Sequence, residues 1–150
     1  MADANNTDLL NQLLARVYRS LLQYSGECWA WTSATETPGV ETVEQKAVEQ
    51  MAGRQRALVA RLVALIADRG GNVDLGNYPD NSGMHYVSLE YLLGKLIADE
   101  QEVVAELDAA SGRLKNDLAA ASLVSELQSA ERDNLARLRE LATAPKTVPA

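Results

Sequence analysis

The chain has 150 residues, long enough for one domain with its own core, and 47% of them are apolar although Phe is absent. An apolar set dominated by Ala, Leu and Val favours helix packing over sheets. A formal charge of −7 argues against a nucleic-acid surface, which needs clustered Lys and Arg, and a single cysteine, Cys28, excludes an internal disulfide or a cysteine metal cluster.

The opening "MADANNTDLLNQLL" has no positive region ahead of its apolar residues, and no long apolar run follows it. We therefore expect neither a signal peptide nor a membrane span, and a cytoplasmic chain. Apolar residues at helical spacing predict a first helix from Thr7 to Ser33, with Leu10, Leu14, Val17, Leu21, Tyr24 and Cys28 on one stripe and Thr7 or Asn6 as its cap. Pro38 and Gly39 break the pattern. A second helix follows over 43–69, opened by the capping pair Thr42-x-x-Gln45 and closed by Gly70 and Gly71, with Met51, Leu58, Leu62, Leu65 and Ile66 as its stripe. The third is expected from Met84 to Ser111, carrying Tyr91, Leu92, Leu96, Val103 and Leu107. The fourth is expected from Asn116 to Ala142, carrying Leu123, Leu127, Leu135, Leu138 and Leu141. One bundle domain, residues 1–142, and a frayed tail, 143–150, account for the chain.

The connections suggest a topology. "SGRLKN" allows only a tight turn, so the third and fourth helices should be antiparallel neighbours, and the first connection permits the same. The middle connection covers residues 70–83. It can stretch to about 46 Å, while the second helix spans roughly 40 Å. It can therefore travel the length of the bundle, leaving the second and third helices parallel, with Tyr78 and Pro79 lying against the bundle side.

Polar residues interrupt the stripes near mid-helix. Gln55 lies between Met51 and Leu58, Glu131-x-x-Asn134 lies between Leu127 and Leu138, and Asp99 lies between Leu96 and Val103 with Glu100 one step round. Measured from the last turn, Asp99 and Glu131 are level to within about 5 Å, so Asp99, Glu131 and Asn134 are candidates to meet in the core. The matching level on the first helix falls near Leu21 or Leu22. Glu27 is the nearest carboxylate there, about 8 Å off along the axis. His85, the single histidine, stands far from this level. "ECWAW", Glu27–Trp31, is the densest aromatic stretch and reads as the closure of one end of the core, with a partner contact as the alternative. Cys28 reads as a small buried hydrophobe.

The segments "RLVALIADRGG", "VSLEYLLGKLIADEQ" and "SAERDNLARLREL" resemble the ferritin-like superfamily, and within it the metal-ligand-poor bacterial proteins of unassigned role. The resemblance covers about Asp8 to Leu141. It implies an all-α four-helix bundle, two antiparallel hairpins joined by a long crossover, that tends to form homo-oligomers. It also implies iron chemistry only where Glu-x-x-His ligands survive. Here Gln55 and Leu58 stand at one such motif, and Asn134 replaces the histidine of the other. The expectation is a non-catalytic structural or interaction module with no cofactor, an unidentified protein partner, and no nucleic-acid or membrane contact. The alternative is an iron- or manganese-binding oxidoreductase with a reduced site around Asp99 and Glu131, with Asn134 as a further candidate.

Overall fold

The computed structural model describes residues 2–31 and 42–143. The Pro38–Gly39 break, the expected end of the first helix at Ser33, and nearly all of the tail lie outside them. The described residues form five α-helices and one short 3-10 helix, with no strand. The helices are α1 (Ala2–Tyr18), α2 (Leu21–Glu27), α3 (Val43–Asp68), α4 (Leu89–Arg113) and α5 (Leu118–Thr143). The 3-10 helix, Ser82–Tyr86, precedes α4. Among the described residues, no helix is long and apolar enough to cross a membrane.

The expected first helix is two helices. Ser20 adopts an extended conformation (φ −66°, ψ 159°), and its hydroxyl accepts a hydrogen bond from the Gln23 amide. That capping geometry competes with helix continuation. The Leu21 amide bonds instead to the Asp99 carboxylate on α4, at 2.9 Å. The break also rotates the buried face: Leu10, Leu14 and Val17 are buried before it, Leu22 and Gln23 after it. Cys28, placed on the stripe by spacing alone, is exposed. The helix begins before Thr7, and Asn6 serves not as its cap but as a donor to Asp117 at the start of α5 (2.8 Å).

α3 starts as expected, with the Thr42 hydroxyl accepting from the Gln45 amide at 3.0 Å. The Gln45 side chain turns forward to Glu49 rather than back to the cap, so the box is half made. The helix stops where Gly70 turns to φ +73° and the Gly71 amide reaches back to the Ile66 carbonyl at 3.0 Å. This is the glycine stop that spares a side chain the strain of the left-handed region. α4 begins at Leu89, later than the expected Met84, because Ser88 caps it by accepting from the Tyr91 amide. Tyr91, expected in the stripe, is 51% exposed. α5 begins after Asp117, whose carboxylate accepts from the Ala120 amide and carries a two-pronged ion pair from Arg69.

The connection between α3 and α4 climbs along α1 and α2. Gly71 lies against Thr7. Asn11 holds the Asn72 carbonyl and the Asp74 amide. Gly76, at φ +66°, sits close to Ala15. Arg19 bonds to the Leu75 and Gly76 carbonyls, with its guanidinium 4.6 Å from the Tyr18 ring centroid and 4.8 Å from that of Tyr78. Tyr24 then contacts both Tyr78 and His85. Trp31 stacks on His85 and donates to the Met84 carbonyl, and Trp29 packs edge-on against Trp31. The aromatic cluster thus closes one end of the core.

The core has two apolar clusters. One holds Leu10, Leu14, Val17, Leu62, Ile66, Val103, Leu107 and Leu127. The other holds Leu22, Trp31, Val48, Met51, Leu92, Leu96 and Leu138. Along α3 and α4 the second cluster comes first in sequence. Along α5, and along α1 followed by α2, the first cluster comes first. The ion pairs Arg54–Asp133, Arg61–Glu126 and Arg69–Asp117 accordingly step along α3 and α5 in opposite senses.

Candidate functional site

Between the two apolar clusters lies a layer of buried polar side chains: Gln23, Gln55, Glu100, Glu131 and Asn134, each no more than 2% exposed. On α3, α4 and α5 these residues interrupt the apolar stripe where it passes from one cluster to the other, and on α2 Gln23 directly follows Leu22 of the second cluster. α2 supplies Gln23, α3 Gln55, α4 Glu100, and α5 both Glu131 and Asn134 one turn apart.

The hydrogen bonds of the layer have a fixed direction. The Ala52 carbonyl can only accept, and the Gln23 Nε2 donates to it at 2.6 Å. The same Nε2 therefore presents its second hydrogen to Gln55 Oε1 at 2.9 Å. That sets the amide of Gln55, whose Nε2 then faces the carboxyls. It lies 2.9 Å from Glu131 Oε1, 2.8 Å from Glu131 Oε2 and 3.3 Å from Glu100 Oε1. The Glu100 and Glu131 carboxyls thus share one amide donor. Burial, followed by the neighbouring Glu131 carboxyl and its charge, raises the Glu100 carboxyl well above the usual range. Arg16 on α1 pulls in the other direction, but more weakly.

Sequence spacing located Gln55, Glu131 and Asn134, and the structure brings all three into this layer. It does not bring Asp99 with them. Asp99 lies on the joint between α1 and α2, with Oδ2 accepting from the Leu21 amide and Oδ1 from Arg16 at 2.8 Å. Glu102 and Glu106 complete the acidic surround of Arg16. Glu100 takes the inward position instead. Gln23 was missed as well, although it stands beside Leu21 and Leu22, where the level was placed. Its signal is a Ser-x-x-Gln spacing, Ser20 to Gln23, of the kind that opens a helix. Glu27 and His85 take no part in the layer: Glu27 is exposed, and His85 is held by Tyr24 and Trp31.

The donor set does not fit the di-metal centre implied by the resemblance. A pair of hard metal ions wants several charged oxygens and commonly imidazole nitrogens. This layer has two carboxyls and three neutral amides, and the Gln55 NH2 points its hydrogens at the carboxyl oxygens a metal would need. Among the described residues, no three His, Cys, Asp or Glu side chains group closely enough to hold a metal ion. No protein-family model matches the chain, and a search of curated proteins finds no relative.

Proposed function

We propose that this chain is a non-catalytic ferritin-like four-helix bundle, in which α1 and α2 act together as one broken helix. Two antiparallel hairpins are joined by the crossover, and the bundle serves as a self-associating structural or protein-interaction module. The topology is supported by the order of the two apolar clusters, which places α3 and α4 in one sense and α1–α2 and α5 in the other. The path of the crossover along α1 supports it further.

The observation that carries the functional reading is the Gln55 amide. Its two donor hydrogens point at Glu131 and at Glu100 Oε1, placing an amide NH2 where a cation bridging the two carboxyls would sit. A site of this kind holds helices together and has no open position for a substrate. Self-association is the tendency that the resemblance implies; Tyr86, Leu118 and Val43, at 91%, 83% and 66% exposure, are single apolar side chains on three different elements.

The test is elemental mass spectrometry on untagged protein incubated with ferrous iron and manganese and then desalted, with light scattering on the same sample. Metal-free protein with a mass above that of one chain is expected. One or two retained ions per chain would overturn the non-metal reading, and a strictly monomeric mass would overturn self-association.

A further inference from the structure

The polar layer contains two acidic side chains, fully buried, against one shared amide donor. Both ionised carboxylates would place two negative charges side by side, away from water, with no cation in contact. The groups facing the pair come from every packed helix. Gln23 on α2, Gln55 on α3 and Asn134 on α5 are neutral. Asp99, next along α4, adds repulsion, while Arg16 on α1 is the attracting cation and is committed to Asp99, Glu102 and Glu106. Asp133 on α5 is turned outward to Arg54.

The hydrogen-bond count leads to the same result. Gln55 Nε2 has two hydrogens, which serve Glu131 and Glu100 Oε1. Glu100 Oε2 is left buried without a partner that can donate to it. A proton on that oxygen turns it into a donor, for which the Glu131 carboxylate on the same Gln55 amide is an acceptor.

We propose that the core is a proton-binding site, in which a single proton held between Glu100 and Glu131 is a constitutive part of the folded bundle and makes its stability fall as pH rises. The proposal rests on the non-metal reading of the layer. In the unfolded chain both carboxyls ionise in the ordinary range, so the folded state binds one proton more than the unfolded state above that range. Folding stability is then full below the ordinary carboxyl range and is lost as pH rises through the raised titration of Glu100. Within that window the folding constant falls tenfold per pH unit. The expected consequence is a bundle that loosens at its middle layer as pH rises above the ordinary carboxyl range.

The test uses chelator-treated full-length protein, so that its outcome is independent of metal loading. Infrared spectra recorded from the ordinary carboxyl range upward should show a protonated-carboxyl C=O band that persists above that range and is absent from Glu100→Gln, which keeps the shape and a donor but cannot ionise. Urea unfolding from the ordinary carboxyl range upward should give a profile in the wild type steeper than that of Glu100→Gln by up to tenfold per pH unit. The difference between the two profiles cancels the contribution of every group the two proteins share. A wild-type spectrum without the band, or parallel profiles in the two proteins, would overturn the proposal. Metal-dependent stabilisation in untreated protein would instead overturn the reading beneath it.

Discussion

Gln55→Leu tests whether the middle layer is held by its hydrogen bonds or merely filled by its side chains. Leu occupies a similar volume, so packing changes little and some apolar burial is gained. The substitution removes donors at 2.8 and 2.9 Å from Glu131 and at 3.3 Å from Glu100, and the acceptor for Gln23. Hydrogen bonds to charged groups contribute about 1.5–3 kcal/mol each. Removing one member of a buried charged network commonly costs about 3–5 kcal/mol, because the remaining groups stay buried without partners. We expect a loss of about 3–5 kcal/mol at neutral pH. At about 2–4 °C per kcal/mol for a chain of this length, Tm should fall by roughly 6–20 °C. Differential scanning calorimetry with urea titration measures both. Gln55→Glu serves as the control, since it keeps the shape but replaces the donor with a third carboxyl. It should be worse than Gln55→Leu at neutral pH and recover on mild acidification. A Gln55→Leu variant within about 1 kcal/mol of wild type would refute the argument and reduce the layer to tolerated filler.

Three further outcomes are expected. Gly26→Ala should destabilise, because its added Cβ would lie 2.5 Å from the Ala52 Cβ, whereas Gly94→Ala meets nothing within 4 Å and should gain about 0.5–1 kcal/mol of stability from helix propensity; thermal melts of the pair check both signs. Asp99→Ala removes the acceptor of the Leu21 amide and the partner of Arg16, so it should cost about 1–3 kcal/mol and raise hydrogen exchange at Leu21 specifically, as amide-resolved exchange would report. The Arg69 guanidinium pulls the Asp117 carboxyl down to about 2, so its contribution is present above the ordinary carboxyl range and disappears as pH falls through about 2; Asp117→Asn should flatten the acid limb of the unfolding profile while preserving the cap on α5.

Helix positions followed from the spacing of apolar residues, and their ends from local chemistry. Thr42 opens α3, and Gly70 and Gly71 close it, within a residue of expectation. Such features are legible because caps and glycine stops act over four or five residues. That the connection before α4 is long enough to travel along the bundle was legible from residue count, although it runs on through the 3-10 helix to Ser88, five residues past the expected end at 83. Gln55, Glu131 and Asn134 could be placed in the core because each interrupts an otherwise apolar stripe.

What required the tertiary structure was every choice between neighbours on one helix. Asp99 and Glu100 stand one residue apart on α4, about 100° round the axis, and the apolar stripe there is wide enough to admit either. Arg16 and the free Leu21 amide draw Asp99 to the joint between α1 and α2, while Gln55 and Glu131 hold Glu100 inside. The break at Ser20 has the same origin. Its capping hydroxyl is visible in the sequence, but the acceptor that takes the orphaned Leu21 amide comes from α4, 78 residues further along the chain. Periodicity specifies which face of a helix is apolar. Only the partner helices decide which polar residue at the edge of that face is drawn in, because the free energy of burying it depends on the group it meets.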